Sequence, residues 1–327
     1  MNIHRMVSCA ADRLRGRVRN TPLVRSDTLS ELTGADVHLK LESLQHTGSF
    51  KYRGALNRLL ALEDDARGRG VIAASTGNHG LAVLRAAAET GVSSEIWVPE
   101  SADRGKVETL ERRGAEVVVR GAECAQTEVL ARAEAERGGR TFVSGYNDEH
   151  VIGGQGTVAV EILEALPRVS AVVASVGGGG LIAGQAGLLA VERPSVRVLG
   201  AYPLNSPAMY ESVRAGRIVE ARVEPTLSDA TAGGVEPGSV TFEPCAELVA
   251  AWAGVDENEI AAGVRLLFAE GLVAEGAAGL AAAGAVAFAG DGAIGPGDVV
   301  CVIVCGRNVD PAALLRLVAG RGRPERA

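Results

Sequence analysis

One lysine is the residue best suited to covalent chemistry. The chain has three lysines, Lys40, Lys51 and Lys106, against 30 arginines, so arginine serves wherever a positive charge is enough. A lysine kept in an apolar, Gly/Ser-rich segment therefore suggests amine chemistry, which a permanently protonated guanidinium cannot perform. Lys51 lies in such a segment, residues 47–55. There a helix start and partial burial would lower the pKa of the amine, as a Schiff-base lysine requires, although position alone also fits a solvated first-turn lysine.

A run of four glycines is the second chemical feature. Gly177, Gly178, Gly179 and Gly180, followed by Leu181, come after an apolar strand and open a helix. Their unhindered N–H groups and the helix N-terminus can wrap a phosphate. A tight turn needs one or two glycines, so we favour an anion site. The loop is not G-x-x-x-x-G-K-[ST], which disfavours a nucleoside triphosphate, and no acidic residue clearly closes a following strand, which weakens a dinucleotide interpretation.

A polar segment after another strand is the third feature. Ser75, Thr76, Asn78 and His79 offer hydroxyls, an amide and free N–H groups suited to a carboxylate. Taken alone, the segment fits a helix N-cap with a neutral surface histidine equally well. Together the three features supply what is needed to hold a phosphorylated aldehyde cofactor and an amino-acid substrate.

The elements that would position these residues follow a βαβα pattern. Short apolar runs predict strands at 36–41, 71–74, 95–98, 116–119, 171–175, 196–200 and 298–304. Amphipathic segments predict helices at 51–63, 79–90, 103–113, 123–137, 153–165, 180–191, 256–271 and 276–289. This alternation is typical of α/β proteins whose parallel sheets are covered by helices on both faces.

The domain organisation is less clearly marked. Four strand–helix units at 68–149 predict a small α/β domain inserted into a larger one formed by 1–67 and 150–327. Residues 202–244 contain five prolines, which predicts a mostly irregular segment at the edge of a site or interface. No internal repeat or low-complexity segment interrupts the chain.

Composition excludes several classes of protein. The formal net charge is −7 without a block of like charge, which argues against a nucleic-acid or anionic-lipid partner. Five scattered cysteines predict reduced thiols in a cytoplasmic protein, and the N-terminal residues lack the unbroken apolar core of a signal peptide. The longest uncharged stretch, 170–191, is interrupted by the four glycines, so we predict no membrane segment.

These motifs resemble those of the fold-type II pyridoxal-phosphate enzymes, specifically the threonine/serine dehydratase and serine racemase branch. The resemblance runs in order along nearly the whole chain, in segments 43–55, 75–80, 147–157, 176–184, 275–279 and 305–310. It implies pyridoxal 5'-phosphate as cofactor and a tryptophan synthase β-like fold with two doubly wound open parallel sheets. It also implies a homodimer.

The resemblance also implies roles for individual residues. Lys51 would bond the cofactor aldehyde, Phe50 would pack on the pyridine ring, and Asn78 would hydrogen-bond the ring hydroxyl. The glycines Gly177, Gly178, Gly179 and Gly180, with Leu181, would hold the phosphate. Cys305 would face the pyridine nitrogen, and Glu275 matches an acidic residue near the cofactor whose role is left open. Ser75, Thr76 and His79 would surround the substrate carboxylate.

Two of these positions bear on the reaction. A carboxylate facing the pyridine nitrogen would keep it protonated, whereas the neutral thiol of Cys305 cannot, so loss of a β leaving group is favoured over reactions that need a long-lived carbanion. Thr76 stands where serine racemases carry the serine that reprotonates Cα and where simple threonine dehydratases often carry alanine. Racemisation is therefore possible but not favoured.

Other positions depart from the family pattern. Many family members bind a divalent metal through acidic residues where this chain has Tyr202 and Ala208, and neither of these can be a carboxylate ligand. We therefore predict no metal at this position. Arg307 replaces a small residue, and Ala230 follows Asp229 where glycine is usual, which suggests a reshaped pocket wall.

The sequence as a whole predicts a dehydratase that converts a β-hydroxy amino acid, L-threonine or L-serine first of all, to a 2-oxo acid and ammonia. Alternatives within the same family are a serine or aspartate racemase, a 3-hydroxyaspartate dehydratase, and a dehydratase of osmolyte catabolism or specialised metabolism. An inactive amino-acid sensor and a nicotinamide enzyme are alternatives from other classes.

Overall fold

Two open sheets form the framework of the molecule, in a computed structural model that describes residues 1–320. The larger sheet has six strands in the spatial order β1 (Leu23–Arg25), β2 (Asp36–Lys40), β10 (Val299–Ile303), β7 (Ala171–Ser175), β8 (Arg197–Pro203) and β9 (Ala251–Val255). The smaller sheet has four parallel strands in the order β5 (Glu116–Val119), β4 (Ser94–Val98), β3 (Val71–Ala74) and β6 (Thr141–Phe142).

Helices connect and cover these strands. They are α1 (Ile3–Leu14), α2 (Asp27–Thr33), α3 (Lys51–Leu60), α4 (Asp64–Arg69), α5 (Asn78–Thr90), α6 (Arg104–Arg112), α7 (Cys124–Arg137), α8 (Glu149–Ala165), α9 (Gly180–Glu192), α10 (Ala208–Ala215), α11 (Phe242–Leu248), α12 (Glu257–Ala269), α13 (Gly276–Gly290) and α14 (Pro311–Val318). Within the described residues, no helix is long and apolar enough to cross a membrane.

The predicted α/β class is confirmed, with one correction to the sheet and one unpredicted helix. All seven predicted strands are present, but β1 pairs antiparallel with β2, so the larger sheet is not wholly parallel. The segment 202–244 is mostly irregular, as predicted, but it also contains α10 and the start of α11. Pro207 lies at the N-cap of α10, where it costs no helical hydrogen bond.

The main hydrophobic core lies around the central strands of the larger sheet. Every residue of β7 and β10 is buried, as expected for strands that have helices on both faces. A separate buried cluster joins α3 and α5 to the smaller sheet through Leu56, Ala82 and Ile96. The division into a large domain and an inserted domain at 68–149 stays a prediction.

A buried ion network anchors α3, the helix that begins at Lys51. The guanidinium of Arg53 is fully buried and lies 2.7 Å from Glu42, in the 3₁₀ turn after β2, and 2.6 Å from Glu161 on α8. Lys40 also pairs with Glu161. The positive charge of Arg53 keeps the pKa of the Glu42 carboxyl below its usual value although burial opposes this. The start of α3 is therefore tied to the larger sheet while its apolar face packs on the smaller one.

Candidate active site

A cavity that opens to solvent lies where the carboxyl ends of β7 and β10 meet the N-termini of α3, α5 and α9. Most of the residues predicted for the site line it: Phe50, Lys51, Asn78, Gly177, Gly178, Gly179, Gly180, Leu181, Glu275 and Cys305. Three further residues line it that no sequence motif predicted: Tyr146, Ser175 and Thr231. Parallel strands bring their carboxyl ends to one edge of a sheet, so motifs distant in the chain meet there.

Lys51 is the first residue of α3, and its amine points into the cavity. Its Nζ donates a hydrogen bond to the carbonyl of Gly145 at 2.6 Å and lies 5.2 Å from the centroid of the Phe50 ring. Burial lowers the pKa of Lys51 from 10.5 to about 8, against the opposing effect of nearby acidic groups that include Glu275. A lysine with this pKa has a substantial neutral fraction near physiological pH and can act as a nucleophile or a base.

The glycine loop forms a cradle that larger residues could not form. A Cβ on Gly178 would lie 2.4 Å from the ring of Tyr146, and one on Gly177 would lie 2.8 Å from the main chain of Thr231. Gly179 has φ +86° and is the N-cap of α9, so the N–H groups of the first turn of α9 have no carbonyl partner within the helix. They are free to bind an anion such as a phosphate.

Asn78 and Glu275 contact each other in the lining of the cavity. The Nδ2 of Asn78 donates to the Glu275 carboxylate, whose two oxygens lie 2.8 and 3.0 Å away. Burial raises the pKa of Glu275 to about 7, although the hydrogen bond from Asn78 opposes this. Asn308 contacts both residues. It belongs to the motif at residues 305–310, but no role was predicted for it.

Cys305 presents a neutral thiol to the cavity. The residue is 2% exposed, and its Sγ accepts a hydrogen bond from the Ser175 hydroxyl at 3.6 Å. Burial raises the pKa of the thiol far above its usual range. The thiol therefore stays protonated and carries no charge at neutral pH.

The segment from Ser75 to His79 lies beside the cavity. Of the four residues predicted in this segment, Asn78 lines the cavity, whereas Ser75, Thr76 and His79 do not. The Ser75 hydroxyl accepts a hydrogen bond from the N–H of Gly77 at 3.2 Å. The contact of Ser75, Thr76 and His79 with a substrate carboxylate stays a prediction.

His79 is a neutral histidine. Its Nε2 lies 2.7 Å from the carbonyl of Val143 and must therefore carry the proton, because a carbonyl oxygen only accepts. Burial is the main reason that its pKa is lowered to about 4. Within the described chain the Nδ1 has no hydrogen-bond partner, which leaves a buried acceptor near Lys51.

The two positions at which the family pattern has metal ligands hold apolar and aromatic groups. Tyr202 stacks on Tyr210 with 4.3 Å between ring centroids, and Trp252 packs beside them. Ala208 is buried in the first turn of α10. These residues have no carboxylate to offer, so this position does not fit a divalent metal.

The cavity as a whole fits a phosphorylated aldehyde cofactor. The glycine cradle that a Cβ would fill suits the phosphate, and the amine of Lys51, with its lowered pKa, suits the aldehyde. The amide of Asn78 and the thiol of Cys305 can hydrogen-bond to polar atoms on the edge of an aromatic ring.

Comparison with known proteins gives consistent matches. Residues 14–306 match the family described as "Pyridoxal-phosphate dependent enzyme". L-threonine ammonia-lyase of Thermotoga maritima is 38% identical over 93% of this chain and 75% of its own length. The solved structure of a threonine deaminase from Solanum lycopersicum, in its processed form, has 29% identity and TM-score 0.89, covering 98% and 94% of the two chains. The structure of maize serine racemase has 29% identity and TM-score 0.90, covering 96% and 95%.

Proposed function

The chain belongs to the family of pyridoxal-phosphate-dependent enzymes, and we propose that it is an ammonia-lyase that removes water from a β-hydroxy amino acid. L-threonine and L-serine are the proposed substrates, and a 2-oxo acid and ammonia are the proposed products. The names of the relatives support this, since L-threonine ammonia-lyases are 38% identical over more than nine-tenths of the chain.

The observation that carries the proposal is the amine of Lys51 facing a cavity that also holds the glycine cradle and a neutral thiol. Pyridoxal phosphate, when bound, supplies an electron sink that makes the Cα proton of an amino acid acidic and lets a β substituent leave. Lys51 would hold the cofactor, and the first turn of α9 with Gly177, Gly178 and Gly179 would hold its phosphate. Asn78 would hold the ring oxygen.

With the substrate bound at the cofactor, the Nζ of Lys51 would accept the proton from the substrate Cα. The carbonyl of Gly145, 2.6 Å away, keeps the amine oriented through a hydrogen bond. A pKa of about 8 suits a base that works near neutral pH. The Ser75, Thr76 and His79 segment is the proposed site for the substrate carboxylate.

Cys305 favours elimination over racemisation. Its uncharged thiol cannot favour a protonated pyridine nitrogen as a carboxylate would, so negative charge at Cα is less stabilised. A short-lived charge at Cα favours rapid departure of the β-hydroxyl. Racemisation of serine or aspartate is the second candidate, supported by the likeness to the maize serine racemase structure and by the hydroxyl of Thr76.

Product analysis tests the proposal directly. The purified protein with pyridoxal phosphate is incubated with L-threonine, L-serine, 3-hydroxyaspartate and further β-hydroxy amino acids, and the 2-oxo acid formed and the enantiomers left are both measured. We expect a 2-oxo acid and ammonia in equal amounts from L-threonine or L-serine. A mixture of enantiomers without 2-oxo acid would establish a racemase, and no turnover of any substrate would contradict both assignments.

We also propose that the protein is a cytoplasmic homodimer. The five cysteines lie in the described residues as free thiols, which suits a reducing compartment. Sedimentation equilibrium tests the dimer, and a mass of 33.6 kDa at micromolar concentration would contradict it.

A further inference from the structure

Asn78 lines the cavity. The oxygen of its side-chain amide accepts hydrogen bonds, whereas the nitrogen donates them. Its Oδ1 accepts a hydrogen bond from Nδ2 of Asn308 at 2.6 Å, while its Nδ2 donates to the Glu275 carboxylate. The carboxylate also accepts the main-chain N–H of Asn308 at 3.1 Å. The three side chains therefore form one connected hydrogen-bond network at the edge of the cavity.

The direction of this network is fixed by one main-chain carbonyl. Nδ2 of Asn308 also donates to the carbonyl of Thr47 at 2.8 Å, and a carbonyl oxygen only accepts. The nitrogen of Asn308 must therefore face Thr47, which leaves its other N–H for Asn78. Asn78 must in turn direct its oxygen towards Asn308 and its nitrogen towards Glu275. Amide orientation is ordinarily inferred from such partners, and here each partner permits one orientation.

Two glycines make room for the network. A Cβ on Gly48, which has φ +79°, would lie 2.8 Å from Oδ1 of Asn308. A Cβ on Gly306 would lie 2.5 Å from the nearer oxygen of Glu275. Any larger residue at either position would displace one member of the network.

We propose that Asn308 is a positioning residue, which orients the amide of Asn78 so that Asn78 presents an N–H donor, and not its carbonyl, to the cofactor. Of the two hydrogens on the Asn78 nitrogen, one would serve the Glu275 carboxylate and the other would face the cavity, which Asn78 lines. An N–H donor binds and stabilises an ionised ring oxygen, whereas a carbonyl would repel it. This inference rests on the proposed function, since it concerns how that cofactor is held.

Asn308→Asp tests the proposal with little change in shape. The new carboxylate cannot donate, so it would repel the Thr47 carbonyl and the Oδ1 of Asn78, and the Asn78 amide would lose the donor that orients its oxygen. At pH 8, above the pKa of about 7 of Glu275, the apoprotein is titrated with pyridoxal phosphate. We expect affinity to fall at least about tenfold and the long-wavelength absorption band to shift. Asp310→Asn is the control, because Asp310 caps α14 two residues further on.

A double-mutant cycle separates positioning from a general structural effect. If Asn308 acts through Asn78, Asn308→Asp should change cofactor affinity less than about twofold in an Asn78→Ala background. An equal loss in both backgrounds, or an unchanged affinity and band in the parent background, would overturn the proposal. Should Asn308→Asp not fold, Asn308→Ala removes the same donors without adding charge and carries the same expectation. Failure of the unsubstituted protein to bind pyridoxal phosphate would instead contradict the proposed function itself.

Discussion

The ionisation of Lys51 decides when the site can react. A neutral amine adds to an aldehyde and a protonated one does not. Burial in the cavity lowers the pKa of this amine from 10.5 to about 8, so the neutral fraction rises steeply between about pH 7 and pH 9.

The first prediction concerns the rate at which pyridoxal phosphate attaches to the apoprotein. The rate should rise with pH through about 8 and level off above about 9, because the neutral amine is then fully formed. Stopped-flow absorbance measures this rate, with Nα-acetyl-lysine as a control whose rate should still be rising at pH 9. A protein rate that is constant between pH 6.5 and 9 would show that the amine of Lys51 is not the titrating nucleophile.

The second prediction concerns Thr76 and the choice of reaction. The extra methyl group of threonine restricts χ1 more tightly than in serine, so we expect the Thr76 hydroxyl to be held away from the substrate Cα. With L-serine, pyruvate should form much faster than D-serine. Thr76→Ser should increase the small racemase activity and Thr76→Ala should remove it, with dehydration retained in both.

Chiral chromatography and a coupled pyruvate assay measure the two products of this second prediction. A yield of D-serine equal to that of pyruvate would contradict the preference for elimination. Loss of dehydration in Thr76→Ala would mean that Thr76 binds the substrate or assists elimination, and not that it serves as a proton donor.

At the scale of elements, the glycine loop between β7 and α9 shows how backbone shape makes a binding site. The loop passes so close to Tyr146 and Thr231 that side chains are excluded. Because the loop residues carry no side chains, their N–H groups are accessible from the cavity and can surround an anion.

The third prediction is that Gly178→Ala weakens binding of pyridoxal phosphate about fivefold or more. The added Cβ would lie 2.4 Å from the Tyr146 ring, so the ring or the loop must move, at a cost of about 1–3 kcal/mol. Gly290→Ala is the matched control, since nothing lies within 4 Å of its added Cβ. Fluorescence titration of the apoproteins measures affinity, and equal affinities of the two variants would contradict the role given to the loop.

The elements differ in how readily the sequence reveals them. The strands Ala171–Ser175 and Val299–Ile303 are continuous apolar runs because both faces are buried, and such runs are readily predicted. In contrast, Leu23–Arg25 and Thr141–Phe142 are too short to show a pattern and form only because neighbouring strands supply their hydrogen bonds. Five prolines predict a mostly irregular segment at 202–244, yet α10 begins directly after Pro207, because proline is tolerated at the start of a helix.

The site divides in a similar way. Lys51, Asn78 and the four glycines belong to local motifs whose residue types indicate their chemistry. Tyr146 and Thr231 come from other parts of the chain, and only tertiary packing brings them to the glycine loop. For the same reason the hydrogen bonds of Asn308 to Thr47 and Asn78 cannot be read from sequence.

At the scale of the whole molecule, packed aromatic side chains occupy the position where the family pattern predicts metal ligands. Tyr202, Tyr210 and Trp252 form an aromatic cluster there. The cluster connects β8, α10 and β9 through apolar contacts that no chelator can remove.

The fourth prediction is therefore that EDTA changes neither the activity nor the melting temperature of the holoenzyme beyond experimental error. Differential scanning fluorimetry and the 2-oxo acid assay, with and without chelator, measure both. A large loss of activity that magnesium or calcium restores would show that other oxygen ligands form a metal site.

The central claim is that Lys51 carries the cofactor, and borohydride reduction of the holoenzyme followed by peptide mapping tests it most directly. Lys40 is buried and paired with Glu161, and Lys106 pairs with Asp229 on the outside of the protein, so neither should react. We expect the reduced pyridoxyl group on Lys51 alone, with no labelled peptide from Lys51→Ala. A label on Lys40 or Lys106, or an unlabelled protein after reduction, would contradict the assignment of the site.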